Sequence, residues 1–308
     1  MSSLKEQYGK PSNMLPLVSV IIPAFNSAQF LADAVESVFA QTYSAVECIV
    51  IDDGSTDHTQ ELLSELLKLH PGLKTAKKNN GGLSSARNMG MRESTGVFIS
   101  FLDADDALIP DKIERQVAFL DAYPDVGLVY GDYLIATETL RPVEMYTTEM
   151  PRELEPIDSL CYRNWFAPMV PLVRRTVTNR VGEFDEELAG AEDWDYWIRC
   201  AKVAQIAYLP GVVSVYRIHP GQLSRNYFGN RRGSIQVVKK QFGDDPGRLR
   251  GAMASIQWTH AKYHWSRREK IATAMAVAKF AVMGGFGFHV RYIAGPLENI
   301  VKSQLKPV

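Results

Sequence analysis

Short apolar runs alternate with amphipathic stretches through the first third of the chain. Val18, Val20, Ile21 and Ile22 form a compact apolar run ended by Pro23, the pattern of a buried strand. Ser27 then offers a cap to a helix carrying Phe30, Leu31, Ala34, Val35, Val38 and Phe39 at helical spacing. Residues 46–51 predict a second strand, closed by Asp52, Asp53, Gly54 and Ser55. Asp57 and Gln60 resemble a capping box before a helix with Leu62, Leu63, Leu66 and Leu67 on one face. The polar turn Asn79, Asn80, Gly81, Gly82 leads into a short helix over residues 83–92. Residues 97–102 predict a further strand. Pro110 opens a helix with Ile113, Val117 and Leu120 on one side, and residues 126–130 predict one more strand. Strands alternating with helices predict an α/β fold: a doubly wound, mostly parallel sheet with helices on both faces.

The second half is less regular. Residues 141–156 are polar and Pro-containing, a loop or a lid. Residues 165–173 are apolar around Pro168 and Pro171. A turn over residues 181–185 leads to a helix that begins near Glu192, and residues 212–218 have strand character before His219, Pro220 and Gly221. Beyond Ser224 the pattern changes to helices rich in Lys and Arg. Residues 271–293 are apolar, but Lys279, His289 and Arg291 interrupt them, which excludes an ordinary spanning helix. Two readings stay open for this region: a bundle packed on the main domain, or an amphipathic surface docking to the inner leaflet of a membrane.

Composition narrows the function classes. Hydrophobic residues make up 46% of 308, enough for a substantial core. The net charge of −1, with Lys and Arg spread along the chain, argues against nucleic acid as a partner. The three cysteines, Cys48, Cys161 and Cys200, are far apart and odd in number, so they spell neither a disulfide framework nor a zinc site. Reduced thiols point to a cytoplasmic location, and the N-terminus is polar, without an apolar signal-peptide core.

Candidate chemistry gathers at the strand ends. In doubly wound sheets, ligands sit outside the carboxyl ends of the strands. Pro23, Ala24 and Phe25 follow the first strand, Asp52 and Asp53 the second, and Asp103, Ala104, Asp105 and Asp106 the strand over residues 97–102. Carboxylates one residue apart suit a hard divalent cation. Taken alone, the acidic stretch reads equally well as a solvated turn. Three strand ends converging on one rim favour a site.

The order and spacing of these pieces are similar to family 2 glycosyltransferases of the GT-A fold. The resemblance covers roughly residues 17–224. It rests on residues 18–26, on Asp52-Asp53-Gly54-Ser55-Thr56-Asp57, and on Asn80-Gly81-Gly82 with Ala86-Arg87-Asn88 and Gly90. The Asp103-Ala104-Asp105 (Asp-x-Asp) stretch, Glu192-Asp193-Trp194-Asp195 and Arg217-Ile218-His219 complete it. The polar, Pro-interrupted pattern of residues 1–16 predicts a flexible N-terminus, and the resemblance implies a catalytic domain over 17–224, with a nucleotide half (17–106) and an acceptor half (107–224). A helical region over 225–308 follows. It further implies a metal-dependent enzyme that moves a sugar from a nucleoside diphosphate sugar, expected to be a UDP-sugar, to an acceptor hydroxyl with inversion. The cofactor is Mn2+ or Mg2+. The acceptor is a saccharide or a lipid-linked molecule, in bacterial cell-surface polysaccharide or lipopolysaccharide synthesis.

Roles follow by position. Asp105 is the expected direct metal ligand, and Asp103 orients the ribose or the metal shell. Asp106 is second to these or simply a helix-side acid near Pro110. His219 is either a further metal ligand or a turn histidine; as a ligand it favours manganese. Asp53 accepts from the base of the nucleotide, while Asp52 holds the turn. Pro23, Ala24 and Phe25 wall the base and ribose. Arg87 either reaches the nucleotide or serves as a salt-bridge partner. Asp193 is the expected catalytic base, with Glu192 orienting the acceptor and Trp194 packing against a sugar ring. Trp197 fits a sugar contact or the core, and Asp195 a structural pair with Arg199. Gly81 and Gly82 do not form a P-loop, since no Gly-Lys-Ser/Thr follows.

Other classes fit less well. A sugar nucleotidyltransferase needs a Gly-rich, basic loop after the first strand, where this chain has Ala24, Phe25, Asn26 and Ser27. A catalytically inactive sugar-nucleotide-binding protein has no need to keep Asp53, Asp103, Asp105 and Asp193 together. A glycoside hydrolase uses two carboxylates but not nucleotide-facing acids at two strand ends.

Overall fold

The computed structural model describes residues 15–188 and 190–283. The first half alternates β1 (Val18–Ala24), α1 (Leu31–Phe39), β2 (Val46–Asp52), α2 (Thr59–Leu69), β3 (Leu73–Lys77), α3 (Leu83–Glu93) and β4 (Phe98–Phe101). Then come β5 (Ala107–Leu108), α4 (Lys112–Ala122), β6 (Val126–Ala136), β7 (Pro142–Tyr146), α5 (Pro156–Tyr162), β8 (Leu172–Arg174) and α6 (Arg175–Val181). The chain continues through α7 (Glu192–Val203), β9 (Gln205–Arg217), α8 (Tyr227–Phe242), α9 (Pro246–Ser266) and α10 (Lys270–Val282). One sheet runs in the order β3-β2-β1-β4-β8-β6-β9-β5, with β7 paired to β6. The N-terminal part of the sheet, β3-β2-β1-β4, is parallel throughout, as the pattern predicts. Beyond β4 the sheet is mixed: β8 runs antiparallel to both β4 and β6, while β6 and β9 are parallel.

All seven residues of β1 are buried, flanked by strands on both sides. The strand runs past Pro23, where the sequence pattern predicts it to stop. Ile21 and Pro23 direct their backbone groups toward β4, since the Ile21 carbonyl accepts from Leu102 N. The β4 pairing ends there, so the missing N–H of Pro23 leaves no ladder bond unmade. Ala24, by contrast, faces β2 and accepts from Asp53 N.

Two other local expectations change. Gln60 does not close a capping box with Asp57. Its amide donates to Asp52 Oδ2, while Asp57 accepts from Thr59 N and Ala28 N. Residues 141–156 are not wholly a loop, because their first part pairs as β7 with the long strand β6.

Helix α3 buries an unusual face: Ser84, Ser85, Ala86, Arg87, Asn88 and Gly90. Small side chains let it lie close on the sheet. Asn88 brackets Phe184, donating to its carbonyl at 3.0 Å and accepting from its N–H at 2.7 Å. Phe184 stacks on Tyr196 of α7 at 4.0 Å between ring centroids, and both meet Phe101 of β4 edge-on. This aromatic cluster fixes the start of α7 over the end of β4.

The C-terminal helices share the main core. Val237, Val238 and Phe242 of α8 and Ala252 and Ile256 of α9 are buried within it. Helix α10 packs on α9 through Phe280, whose ring lies 5.1 Å from that of Trp258. Its outward residues Ile271, Met275 and Val282 stay exposed. No described helix is long and apolar enough to cross a membrane. The remainder of the 271–293 stretch and most of the 1–16 segment lie outside the described residues.

A methyl group at Gly90 would sit 2.3 Å from Ile21 Cγ2 in the middle of β1. We expect Gly90→Ala to destabilise the protein by ~1–3 kcal/mol through overpacking. The check is a lowered urea midpoint with an unchanged slope.

Candidate active site

A cleft of about 1190 Å³ opens over the carboxyl ends of β1, β2 and β4. Pro23, Ala24, Phe25, Asp53, Arg87, Asp103, Asp105, Glu192, Asp193 and His219 all line it. Residues distant in sequence thus meet on one rim. Trp194 is the exception: it is buried, and its indole N–H donates to the Leu160 carbonyl at 2.7 Å inside the core. One residue after Asp193 on a helix, its side chain is turned about 100° away from the cleft. Trp197 is likewise core, packed 5.5 Å from Phe166.

At the β2 end of the cleft, the loops after β1 and β2 are tied together. Asn26, with φ of 50°, donates from its backbone to Ser55 Oγ and accepts from Thr56 N, each at 2.9 Å. Asp52 holds the turn by accepting from Ser55 N at 3.0 Å. The Asp53 carboxylate is buried and accepts from Gly81 N at 2.9 Å, Gly82 N at 2.7 Å and Lys78 Nζ at 2.7 Å. These bonds bring the Asn80-Gly81-Gly82 turn against the end of β2. Gly54 is required here: its φ is +79°, and a Cβ would lie 2.9 Å from Asn80 N. Phe25 is 48% exposed, an aromatic ring left at the mouth of the cleft.

At the β4 end, the acids divide their work. Asp103 accepts from Arg87 Nη2 at 2.7 Å. Asp105 Oδ2 lies 2.9 Å from His219 Nε2, so the two expected metal ligands are neighbours. Burial, and then the Asp103 charge, push the Asp105 carboxyl above its usual range. Asp106 is not a helix-side acid near Pro110. It is buried and accepts from the backbone N–H of Arg217 at 2.9 Å, which docks β9 beneath the site. Burial, then the Asp105 and Asp103 charges, push it well up.

An oxygen and a nitrogen donor side by side, amid more acid than the local cations balance, fit a divalent cation. Among the described residues no three His, Cys, Asp or Glu side chains converge as a ready-made cage.

At the third corner, Ala191 adopts a left-handed conformation (φ 59°) and α7 begins at Glu192. Glu192 accepts from Arg87 Nη1 at 2.7 Å. Asp193 Oδ1 accepts from Trp194 N at 2.8 Å, and Oδ2 from Asn164 Nδ2 at 2.7 Å. Burial and the neighbouring Glu192 charge raise the Asp193 carboxyl to about 7, against the opposing pull of Arg87 and Asn164. An acid held there exchanges protons readily near neutral pH. Asp195 pairs with Arg199 at 2.8 Å, a structural contact.

Sequence reasoning missed Lys78 and Asn164. Lys78 stands one residue before the Asn79 turn, a basic residue that nothing in its local pattern singles out. Asn164 has no sequence signal at all; only the fold carries it to Asp193.

Residues 19–182 match the family described as Glycosyl transferase family 2. An uncharacterized glycosyltransferase of Rickettsia felis is 32% identical over 249 residues, covering 76% of this chain but only 39% of the relative. One from Rickettsia typhi is 30% identical over 219 residues, with 69% and 67% of the two chains covered. The fold is similar to S. aureus TarS solved with UDP-GlcNAc, with TM-score 0.63, 19% identity, and 87% and 81% of the chains covered. It is also similar to the mannosyltransferase PcManGT from Pyrobaculum calidifontis, solved with GDP-Man and Mn2+. There the TM-score is 0.60 and the identity 20%, covering 97% and 85%.

Arg87 carries the electrostatics of the cleft. Arg87→Met should cost about 3–5 kcal/mol, because it leaves the Asp103 and Glu192 carboxylates without their buried partner. Arg87→Lys should recover only part of this, since one ammonium cannot reproduce two divergent guanidinium bonds. Urea unfolding of the two variants beside the parent checks the order.

Proposed function

The chain belongs to glycosyl transferase family 2 and is a glycosyltransferase of the GT-A fold, and on that premise we propose that it is a metal-dependent, inverting enzyme. In this proposal it moves a sugar from a nucleoside diphosphate sugar to an acceptor hydroxyl by direct displacement. The carrying observation is one cleft lined by Asp53, by Asp103 and Asp105, and by Asp193 with its carboxyl raised to about 7. Asp193 is the base. Its Oδ2 takes the acceptor proton as the acceptor oxygen bonds to the anomeric carbon. The bond from that carbon to the diphosphate oxygen breaks on the opposite face, and the electron pair leaves with the nucleoside diphosphate.

Asp53 keeps lone-pair capacity for one donor beyond Lys78, Gly81 and Gly82, and the N3–H of a uracil suits it. The UDP-GlcNAc complex of TarS supports UDP as the first nucleotide to try. Phe25 and the backbone of Pro23 and Ala24 wall the base and ribose. Arg87 acts on the nucleotide side by holding Asp103. Asp105 and His219 would hold Mn2+ or Mg2+, and the ion would neutralise charge growing on the leaving diphosphate. Mn2+ in the PcManGT complex supports that choice.

The acceptor is a saccharide or a lipid-linked molecule of cell-surface polysaccharide or lipopolysaccharide synthesis. Exposed Ile271, Met275 and Val282 beside Lys270 and Lys279 on α10 support peripheral contact with a membrane at its cytoplasmic face. The three buried, unpaired cysteines agree with a reducing compartment.

A thermal-shift screen of UDP- and GDP-sugars, with Mn2+ or with chelator, selects the donor. UDP release from that donor then reports turnover, with water as acceptor. Asp193→Asn should lower kcat by ~10²–10⁴-fold and leave metal-dependent nucleotide binding intact. The parent rate should rise with pH through about 7 and level off above it, because only the ionised carboxylate accepts a proton. Parental turnover in Asp193→Asn removes this residue as the base. Asp105→Ala should weaken UDP binding at least ~10-fold in Mn2+ and not at all in chelator. Equal loss under both conditions counts against the metal role.

A further inference from the structure

Asn164 lies between α5 and β8, yet its amide reaches across the cleft wall to Asp193. Nδ2 donates to Asp193 Oδ2 at 2.7 Å. The other carboxylate oxygen is held by the backbone N–H of Trp194 at 2.8 Å. One bond on each oxygen fixes the carboxylate in rotation. It leaves the second lone pair of Oδ2 for an acceptor hydroxyl.

The far end of the same amide is the telling feature. Asn164 Oδ1 is buried and has no hydrogen-bond partner among the described residues. A buried carbonyl left unpaired is expensive, and structures rarely keep one without a use. Its use becomes apparent once Asp193 gains a proton. The proton lands on the Oδ2 lone pair that faces the acceptor, and the resulting hydroxyl oxygen accepts from the Asn164 N–H only weakly. Rotation about the Cγ–Oδ2 bond turns that O–H toward Asn164. A half-turn of the amide brings Oδ1 round to accept from Oδ2–H. Oδ1 has no prior partner among the described residues, so the turn gives up only the weakened bond from Nδ2. Asparagine offers a donor and an acceptor on one planar group, and both states of a proton-exchanging acid need one of them.

We propose that Asn164 is the positioning residue of the base, holding Asp193 through its N–H when ionised and through its carbonyl when protonated. This rests on the reading of Asp193 as the base. The charged groups that face Asp193 are Glu192 on its own helix and Arg87 from α3, which Asp103 shares. Asn164 is the neutral partner from the segment between α5 and β8. Among the described neighbours of Asp193, this side chain supplies both polarities without adding charge.

The test compares Asn164→Leu, of similar size, and Asn164→Ser, small and soluble should the first fail to fold. Both are read beside Asp193→Asn. Full-length protein carrying 13C-labelled aspartate carboxyls gives the Asp193 titration directly, with its resonance assigned by its loss in Asp193→Asn. UDP release at saturating donor gives the pH profile of kcat. The bond to the ionised form is charge-assisted and stronger than the neutral bond to the protonated form, so losing both should move the Asp193 midpoint and the acid limb of kcat up together, by about one unit. The plateau kcat should fall roughly 10-fold, with KM for the donor unchanged. A midpoint and limb that stay at the parental pH, in a variant that only melts earlier, overturn the role of Asn164. If Asp193→Asn is dead in the same series, the base reading survives that outcome. Parental turnover in Asp193→Asn overturns the base reading and this inference with it.

Discussion

A guanidinium with no exposed surface joins the parts of the cleft. Arg87 leaves the buried face of α3 and divides its two terminal nitrogens between Asp103, at the end of β4, and Glu192, at the start of α7. Taking a charge out of water is costly unless it is paired and hydrogen-bonded, and here each terminal nitrogen has a carboxylate at 2.7 Å. The arrangement holds the acidic strand end and the acidic helix start in a fixed relation. Neither the sheet nor α7 alone would set it. The packing that allows it is equally specific. Only small residues on α3 let that helix sit low enough for Arg87 to pass beneath the rim.

The electrostatics of the cleft follow from that bridge. Asp105, Asp106 and Asp193 all have carboxyls pushed up, with burial as the leading cause in each. Arg87 offsets Asp103 and Glu192 and also acts on Asp193. Among the described side chains Asp105 meets the His219 imidazole, and Asp106 meets Arg217 through its backbone N–H and its charge. The cleft is thus divided. One corner, on the proposed reading, would take up a cation and a diphosphate. Another holds a single carboxyl that changes protonation state near neutral pH. A glycosyl transfer by displacement asks for such a separation, because charge must be neutralised on one face of the sugar and a proton removed on the other.

The parallel half of the fold was legible because fully buried strands leave a simple trace. Val18, Val20, Ile21 and Ile22 are apolar whichever face they point to, and the stripe of Leu31, Ala34, Val35 and Val38 has helical spacing and is buried. Strand β3 was less legible. It lies at the sheet edge with Lys74 and Lys77 on a mostly exposed run, so no apolar pattern marks it. Strand β7 is another exposed strand, and its Pro142 start reads as loop. The extension of β1 through Pro23 depended on where β4 stops pairing, a fact about another strand.

The candidate site divides in the same way. Sequence alone was enough to predict acids at successive strand ends, because burying a carboxylate beside an apolar strand demands a partner, and Asp53, Asp103 and Asp105 stood out on that ground. Asp193, at the start of α7, was singled out by the family resemblance. Tertiary structure decided what each acid faces. It turned Trp194 into the core, because successive residues on a helix point about 100° apart. It set Asp106 under β9, gave Lys78 to Asp53, and brought Asn164 to Asp193. Residue type and spacing determine which chemistry a chain can carry. Side-chain partners far apart in sequence are chosen by packing, through contacts that no local pattern encodes.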